Sequence, residues 1–159
     1  MNANEIHERI KTAFPDAIIE FKSEGVFEPF IVIRPELIRE VSRYLFEEPD
    51  LNFDYLMSLS GVDFNDGNLG VVYHLHSMGR KHRIVLKVRV SKGKPDVPSV
   101  ESIWKTANWH EREAFDLFGI LFLNHPDLRR ILLPDDWEGF PLRKDYKVQE
   151  YYQGMKVPY

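Results

Sequence analysis

Leu69-Gly70-Val71-Val72-Tyr73-His74-Leu75-His76 and, beyond Met78-Gly79-Arg80-Lys81, Ile84-Val85-Leu86-Lys87-Val88-Arg89-Val90 decide the fold. In the first run Leu69, Val71, Tyr73 and Leu75 alternate with more polar positions. In the second, Ile84, Leu86, Val88 and Val90 alternate with Arg83, Val85, Lys87 and Arg89. A period of two puts each apolar set on one side of a strand. Two such runs around a Gly-containing turn read as an antiparallel hairpin, one face buried and the other largely wet.

The elements on either side extend this sheet. Tyr55–Phe64 is apolar and is followed by Asn65-Asp66-Gly67, a strong turn signal. Ala17–Phe21 and Phe30–Ile33 read as short strands joined near Gly25. Residues 4–14 carry Ile6, Ile10 and Phe14 at four-residue spacing, an amphipathic helix stopped by Pro15. Leu37, Ile38, Val41, Tyr44 and Leu45 form the stripe of a second helix, with Pro35 near its start and Pro49 at its end. Downstream, Lys92–Pro98 reads as a loop. Ser99 reads as the N-cap of a helical stretch through Val100, Ile103, Trp104 and Ala107. A further helix, about Trp109–Phe118, ends at Gly119. The order predicts an α+β fold: a mainly antiparallel sheet with helices packed on one face.

Residues 1–136 read as a single domain and 137–159 as an irregular, extended C-terminal segment. That segment carries Trp137, Phe140, Tyr146, Tyr151, Tyr152 and Tyr159, far more aromatic than a disordered tail. It must lie on a surface, its own domain's or a partner's, and its lack of periodicity favours the partner.

Composition excludes several chemistries. The 159 residues carry a net charge of −4, so nothing points to nucleic acid as the main partner. Residues 1–80 are net −7 and residues 81–159 net +3, which suggests an interaction surface. The absence of cysteine removes disulfides, thiolate nucleophiles, cysteine-ligated zinc and ordinary iron–sulfur ligation. The N-terminal residues lack the pattern of a signal peptide, and no run approaches a membrane span. Any membrane association is expected through a partner.

No self-sufficient active site emerges. His74 and His76 share a strand face and His82 lies across the turn, but Arg80, Lys81 and Arg83 beside them would repel a metal cation. His110-Glu111 lacks the second histidine of a zinc-protease helix, because Ala114 occupies that position. Glu111 and Glu113 point about 200° apart on a helix. Arg112, four residues before Asp116, is expected to pair with it, and such a charge cluster usually forms a solvated face. Yet mixed charges recur over Glu111–Gly119, Asn124-His125-Pro126-Asp127, Arg129-Arg130 and Pro141-Leu142-Arg143-Lys144-Asp145-Tyr146. That pattern suits a network that locks loops or docks a partner.

The same residues carry a family resemblance. Glu111-Arg112-Glu113, two residues, Asp116-Leu117-Phe118, six residues, His125, three residues, Arg129, one residue and Ile131-Leu132 resemble the signature of the thirty-kilodalton subunit family of respiratory complex I. Pro141–Tyr146 is similar to the family's closing motif. The resemblance implies a peripheral-arm subunit of the proton-pumping NADH:quinone oxidoreductase with no redox centre of its own. Flavin, iron–sulfur clusters and quinone would belong to partners. Those partners would include the quinone-site subunit and the subunit holding the terminal cluster, on the cytoplasmic side of the membrane. It also implies that Glu111, Arg112, Glu113 and Asp116 form a charged network at a helix start or loop, with a helix end at Phe118-Gly119. His125, Pro126, Arg129 and Arg130 would shape the next loop, and Arg143, Lys144, Asp145 and Tyr146 would be partner contacts. A related membrane-bound hydrogenase or ferredoxin-type quinone oxidoreductase would use the same scaffold.

Overall fold

The structure, a computed structural model, describes residues 1–157; Tyr159, counted above with the tail aromatics, lies outside them. Helix α1 (Ala3–Ala13) opens with a capping box. The Asn2 side chain accepts from the Glu5 amide and the Glu5 carboxylate accepts from the Asn2 amide. Strands β1 (Ile18–Lys22) and β2 (Phe30–Ile33) follow, then a 3-10 turn at Pro35–Leu37 running into α2 (Ile38–Glu47). Strands β3 (Tyr55–Asp63), β4 (Asn68–His76) and β5 (Arg83–Ser91) form a meander.

The five strands lie in the order β1-β2-β5-β4-β3, antiparallel except for β2 beside β5. The β4–β5 hairpin is as expected, with Val71 opposite Val88 and Tyr73 opposite Leu86. Its core face buries Leu69, Val71, Tyr73, Leu75, Ile84, Leu86 and Val88 under Ile6 and Ile10 of α1 and Ile38, Val41 and Leu45 of α2. The other face is wet but not bare. Lys87 Nζ lies 3.5 Å from the Phe30 ring centroid and the Arg89 guanidinium 4.5 Å from that of Phe64.

Downstream of β5 two expectations fail. The stretch read as a loop contains β6 (Asp96–Pro98), which pairs in parallel with β7 (Leu121–Leu123). Residues 100–106 make turns rather than a helix, and α3 spans Ala107–Phe118. The Ser99 oxygen accepts the Glu101 amide of a turn at 3.2 Å, and its hydroxyl proton goes to a buried carboxylate on α3. That bond folds 99–106 back over the helix and buries Val100 and Trp104. The Trp104 indole N–H then closes on the Phe53 carbonyl at 2.8 Å.

Beyond β7 the chain is irregular. Its last described elements are the two-residue strands β8 (Tyr151–Tyr152) and β9 (Met155–Lys156). Among the described residues, no helix is long and apolar enough to cross a membrane.

Candidate functional site

Helix α3 lies across the core face of β3, with the Phe118 ring over Gly61; a Cβ there would stand 2.5 Å from the ring. The solvated charge cluster expected on this helix is absent. Glu111, Arg112 and Asp116 are buried, and Glu113 alone of the four is exposed. Each buried charge holds a different piece of irregular backbone.

The Glu111 carboxylate accepts from the Ser99 hydroxyl at 2.6 Å and the Val100 amide at 2.8 Å. The fully covered His125 ring stands 3.9 Å away. Its Nδ1 accepts the Asp127 amide, so its own proton sits on Nε2 and goes to the Asn108 carbonyl at 3.0 Å. Burial pushes the Glu111 carboxyl up to about 7, against the two hydrogen bonds that favour the anion and with Glu101 adding to the rise. The Tyr73 hydroxyl, also buried, has no hydrogen-bond partner among the described residues. Burial first, and then the Glu111 charge, raise its ionisation well above the usual range.

Arg112 does not pair with Asp116. Its guanidinium donates to the Arg129 carbonyl at 3.1 Å and the Arg130 carbonyl at 2.9 Å. Asp116 faces the other side of that loop. Its Oδ2 accepts three successive amides, Ile131, Leu132 and Leu133, at 3.1, 2.7 and 2.9 Å. Its Oδ1 takes Arg130 Nη1 at 2.8 Å. Burial alone would raise the Asp116 carboxyl, but Arg130 and the three amides hold it below the ordinary carboxylate range. The apolar run Ile131–Leu133 is thus a loop wrapped on a carboxylate, a pattern without periodicity in sequence. Arg129 enters this lattice only through its carbonyl; its side chain pairs at the surface with Asp127.

Arg130 carries the lattice into the tail, donating to the Trp137 and Gly139 carbonyls at 2.8 and 3.0 Å. Phe140 packs edge-on to Phe115 and under Arg143, whose Nε donates to the Phe118 carbonyl at 2.6 Å. The Leu142 amide donates to the Leu117 carbonyl. Two of the carbonyls left open at the end of α3 are therefore closed by residues 142 and 143. Lys144 uses its backbone, not its exposed side chain: its amide donates to Asp63. Asp145 reaches Lys92, which also pairs with Asp63 at 2.9 Å. Burial would raise the Asp63 carboxyl, but Lys92 and the Lys144 and Asn65 amides bring it down to about 2. Tyr146 packs against Gly139. Asp63 and Lys92 had no local signal in the sequence and Ser99 only that of a cap; they belong to this lattice through long-range contact.

Gly119 is where the lattice is tightest. It sits at φ +73°, and a Cβ there would meet Phe140 at 2.6 Å and Arg143 at 2.7 Å. Gly119→Ala is expected to cost about 2 kcal/mol through the left-handed backbone and the displaced ring. Proteolysis should then begin at residues 137–147; an unchanged melting point and cleavage pattern would show that the segment gives way freely.

The hairpin histidines sit elsewhere. His74 Nδ1 is 3.0 Å from the Ser58 hydroxyl and its Nε2 is 3.8 Å from Glu28, while His82 bonds the Leu51 carbonyl. Among the described residues no three His, Asp or Glu side chains converge as metal ligands.

Comparison with known proteins agrees with the motif. Residues 31–152 match the family described as respiratory-chain NADH dehydrogenase, 30 Kd subunit. A subunit of the NADH-quinone oxidoreductase of Chloroherpeton thalassium is 50% identical over 94% of this chain, which spans 63% of that relative's length. The corresponding NADH-quinone oxidoreductase subunit of Chlorobium phaeobacteroides is 49% identical, with 94% of this chain and 92% of the relative covered. Among solved structures, a trypsin-resistant fragment of Nqo5 is 27% identical with a TM-score of 0.65, covering 80% of this chain and 100% of the fragment. A chain of the membrane-bound sulfane sulfur reductase, an archaeal respiratory membrane complex, is also 27% identical, with a TM-score of 0.74, 91% of this chain and 85% of that chain covered. The mixed sheet, the charged motif and the match along most of its length agree: this chain belongs to the 30 Kd subunit family of respiratory-chain NADH dehydrogenases.

Proposed function

We propose that the chain is a non-redox structural subunit in the peripheral arm of a proton-translocating NADH:quinone oxidoreductase. It supports the quinone-site module from the cytoplasmic side and contacts the quinone-site subunit and the terminal iron–sulfur-cluster subunit. Flavin, clusters and quinone are held by those partners. One observation carries this reading. The motif charges Glu111, Arg112, Asp116 and Arg130 are all engaged with this chain's own backbone, which holds an irregular strap of residues 129–147 rigid. Groups so engaged suit a scaffold rather than acid–base chemistry on a substrate. The strap and the hairpin beyond it turn Leu132, Val148, Tyr151 and Met155 outward, each more than half exposed. Large apolar side chains held outward from a fixed backbone suit a partner interface.

Tyr151→Ser combined with Met155→Ser tests the strap. The isolated chain should keep its melting temperature within about 2 °C. Its recovery with the quinone-site subunit from membranes should fall about tenfold, as for loss of interface anchors. Undiminished recovery would refute the docking role. A purified chain that oxidised NADH with quinone unaided would refute the scaffold reading itself.

The likeness to the sulfane sulfur reductase chain favours a second reading. In it, the same scaffold serves a related membrane-bound hydrogenase or ferredoxin-type quinone oxidoreductase. The companion subunits decide: flavin and NADH-binding motifs support the first reading, nickel-ligating cysteines the second.

A further inference from the structure

The central sheet has two edges, and they are built differently. At one edge, β1 is five residues long, carries Glu20 and Lys22, and is broken by a register shift between Ile18 and Glu20. Short length, charge and a bulge are the devices that keep a sheet edge from recruiting another strand. At the other edge, β3 runs nine residues, Tyr-Leu-Met-Ser-Leu-Ser-Gly-Val-Asp, without lysine, arginine or proline. Its one acid, Asp63, is buried at the end in the tail lattice, and its one register shift lies near the start, between Leu56 and Ser58. The rest of the strand carries none of these devices in its own sequence.

The register shows which groups are open. The Phe64 amide bonds the Asn68 carbonyl, and the ladder continues through Val62 opposite Gly70, Ser60 opposite Val72 and Ser58 opposite His74. In an antiparallel pair, hydrogen-bonded positions alternate. Val62, Ser60 and Ser58 therefore bond β4, while Leu59 and Gly61 turn their N–H and C=O away from the sheet. His110 Nδ1 lies 3.3 Å from the Leu59 carbonyl, so α3 meets only one of these groups. Beside the edge runs a cleft of about 280 Å³, floored by Ala114, Leu117 and Phe118, with Leu142 on one side. Glu113, the exposed acid of the motif, stands on its rim. Tyr55 and Met57 leave apolar side chains exposed along the same strand.

We propose that an extended segment of a partner subunit adds to β3 as a sixth strand, with a lysine or arginine of that segment set against Glu113. Main-chain bonds to Leu59 and Gly61 would supply the pairing, the apolar cleft would take alternate side chains, and the carboxylate would fix the register. The occupant is extended because the open groups are backbone donors and acceptors at strand spacing. It is basic because the one charge on the rim is negative. A second copy of this chain would bring another Glu113 and a second acid-bearing edge, so like charges would meet. This inference rests on the chain being a subunit of a larger complex.

The chain has no cysteine, so Ser60→Cys places one photo-crosslinker on the outer face of β3 and Glu20→Cys places a control on β1. Both variants are assembled into the membrane complex, and crosslinks are mapped by mass spectrometry. The probe at 60 should label alternate residues of one extended partner segment that contains a basic residue; the probe at 20 should not label that segment. Amide exchange at Leu59 and Gly61 should slow about a hundredfold on assembly. Glu113→Lys should weaken retention in the complex about tenfold, and Glu113→Asp should restore most of it. A probe that labels a second copy, a helical segment or nothing overturns the proposal, as does equally fast exchange before and after assembly. If the chain assembles with an NADH-oxidising complex and β3 stays open, only this inference falls. If it assembles with no redox complex, the proposed function falls with it.

Discussion

Asp116→Ala is expected to destabilise the isolated chain by about 3–5 kcal/mol, the range for breaking a buried ion pair from one side. The change takes the carboxylate from the Arg130 guanidinium, leaving it carbonyl acceptors alone, and leaves the amides of Ile131, Leu132 and Leu133 without their shared acceptor. Leu132 is exposed and its neighbours half-buried, so water can replace part of the loss. The half-buried Arg130 cation, left without its carboxylate, sets the floor. Because Arg130 also holds the Trp137 and Gly139 carbonyls, the strap should loosen together with the loop. Glu113→Ala, on the exposed side of the same helix, should change stability by no more than about 0.5 kcal/mol. Denaturant unfolding of both variants checks the contrast, and equal costs would show that the lattice around Asp116 carries little.

The second large effect is one of pH. The Glu111 carboxyl titrates at about 7 in the folded chain, against an ordinary value of 4.5. Between those values the folded state holds a proton that the unfolded chain has lost. The stabilisation is therefore complete below about pH 4.5 and fades as pH rises through about 7, a loss on the order of 3 kcal/mol. Asp63 and Asp116 act in the opposite sense. Their folded carboxyls lie below the ordinary value, so their contribution is present above about pH 4 and lost as pH falls. Stability should peak near pH 5 and decline on both sides. Glu111→Gln should remove the alkaline decline and leave the acid one. Its amide can keep the Val100 bond and reverse the Ser99 bond, and it carries no buried charge. Unfolding titrations from pH 3 to 9 check this; a flat wild-type profile between 5 and 8 would refute it.

Local patterning was enough for the regular elements. The period of two in β4 and β5, the four-residue spacing of Ile6 and Ile10, and Gly119 at the end of α3 each report a nearest-neighbour constraint, and each element stands within a residue or two of its expected place. Ser99 shows where such reasoning fails. A serine before an apolar stripe normally caps a helix, but here its oxygen accepts the Glu101 amide of a turn while its proton ties that turn to a carboxylate twelve residues later. Arg112 and Asp116 fail likewise. Four-residue spacing permits a pair on an exposed helix, whereas burial on two sides of one loop gave each its own partners. Nothing local marks β6 as a strand, since its only partner among the described residues is β7, more than twenty residues on.

By itself, then, the amino-acid order determined the α+β class, the hairpin at its centre, the absence of thiol chemistry and the motif that marks the family. All of these rest on periods and residue types that act within a few positions. Tertiary structure alone decided what the motif's charges hold. A carboxylate buried among amides and a carboxylate in water are the same letter, and only the packing around Asp116 and Glu111 sets which one the chain contains.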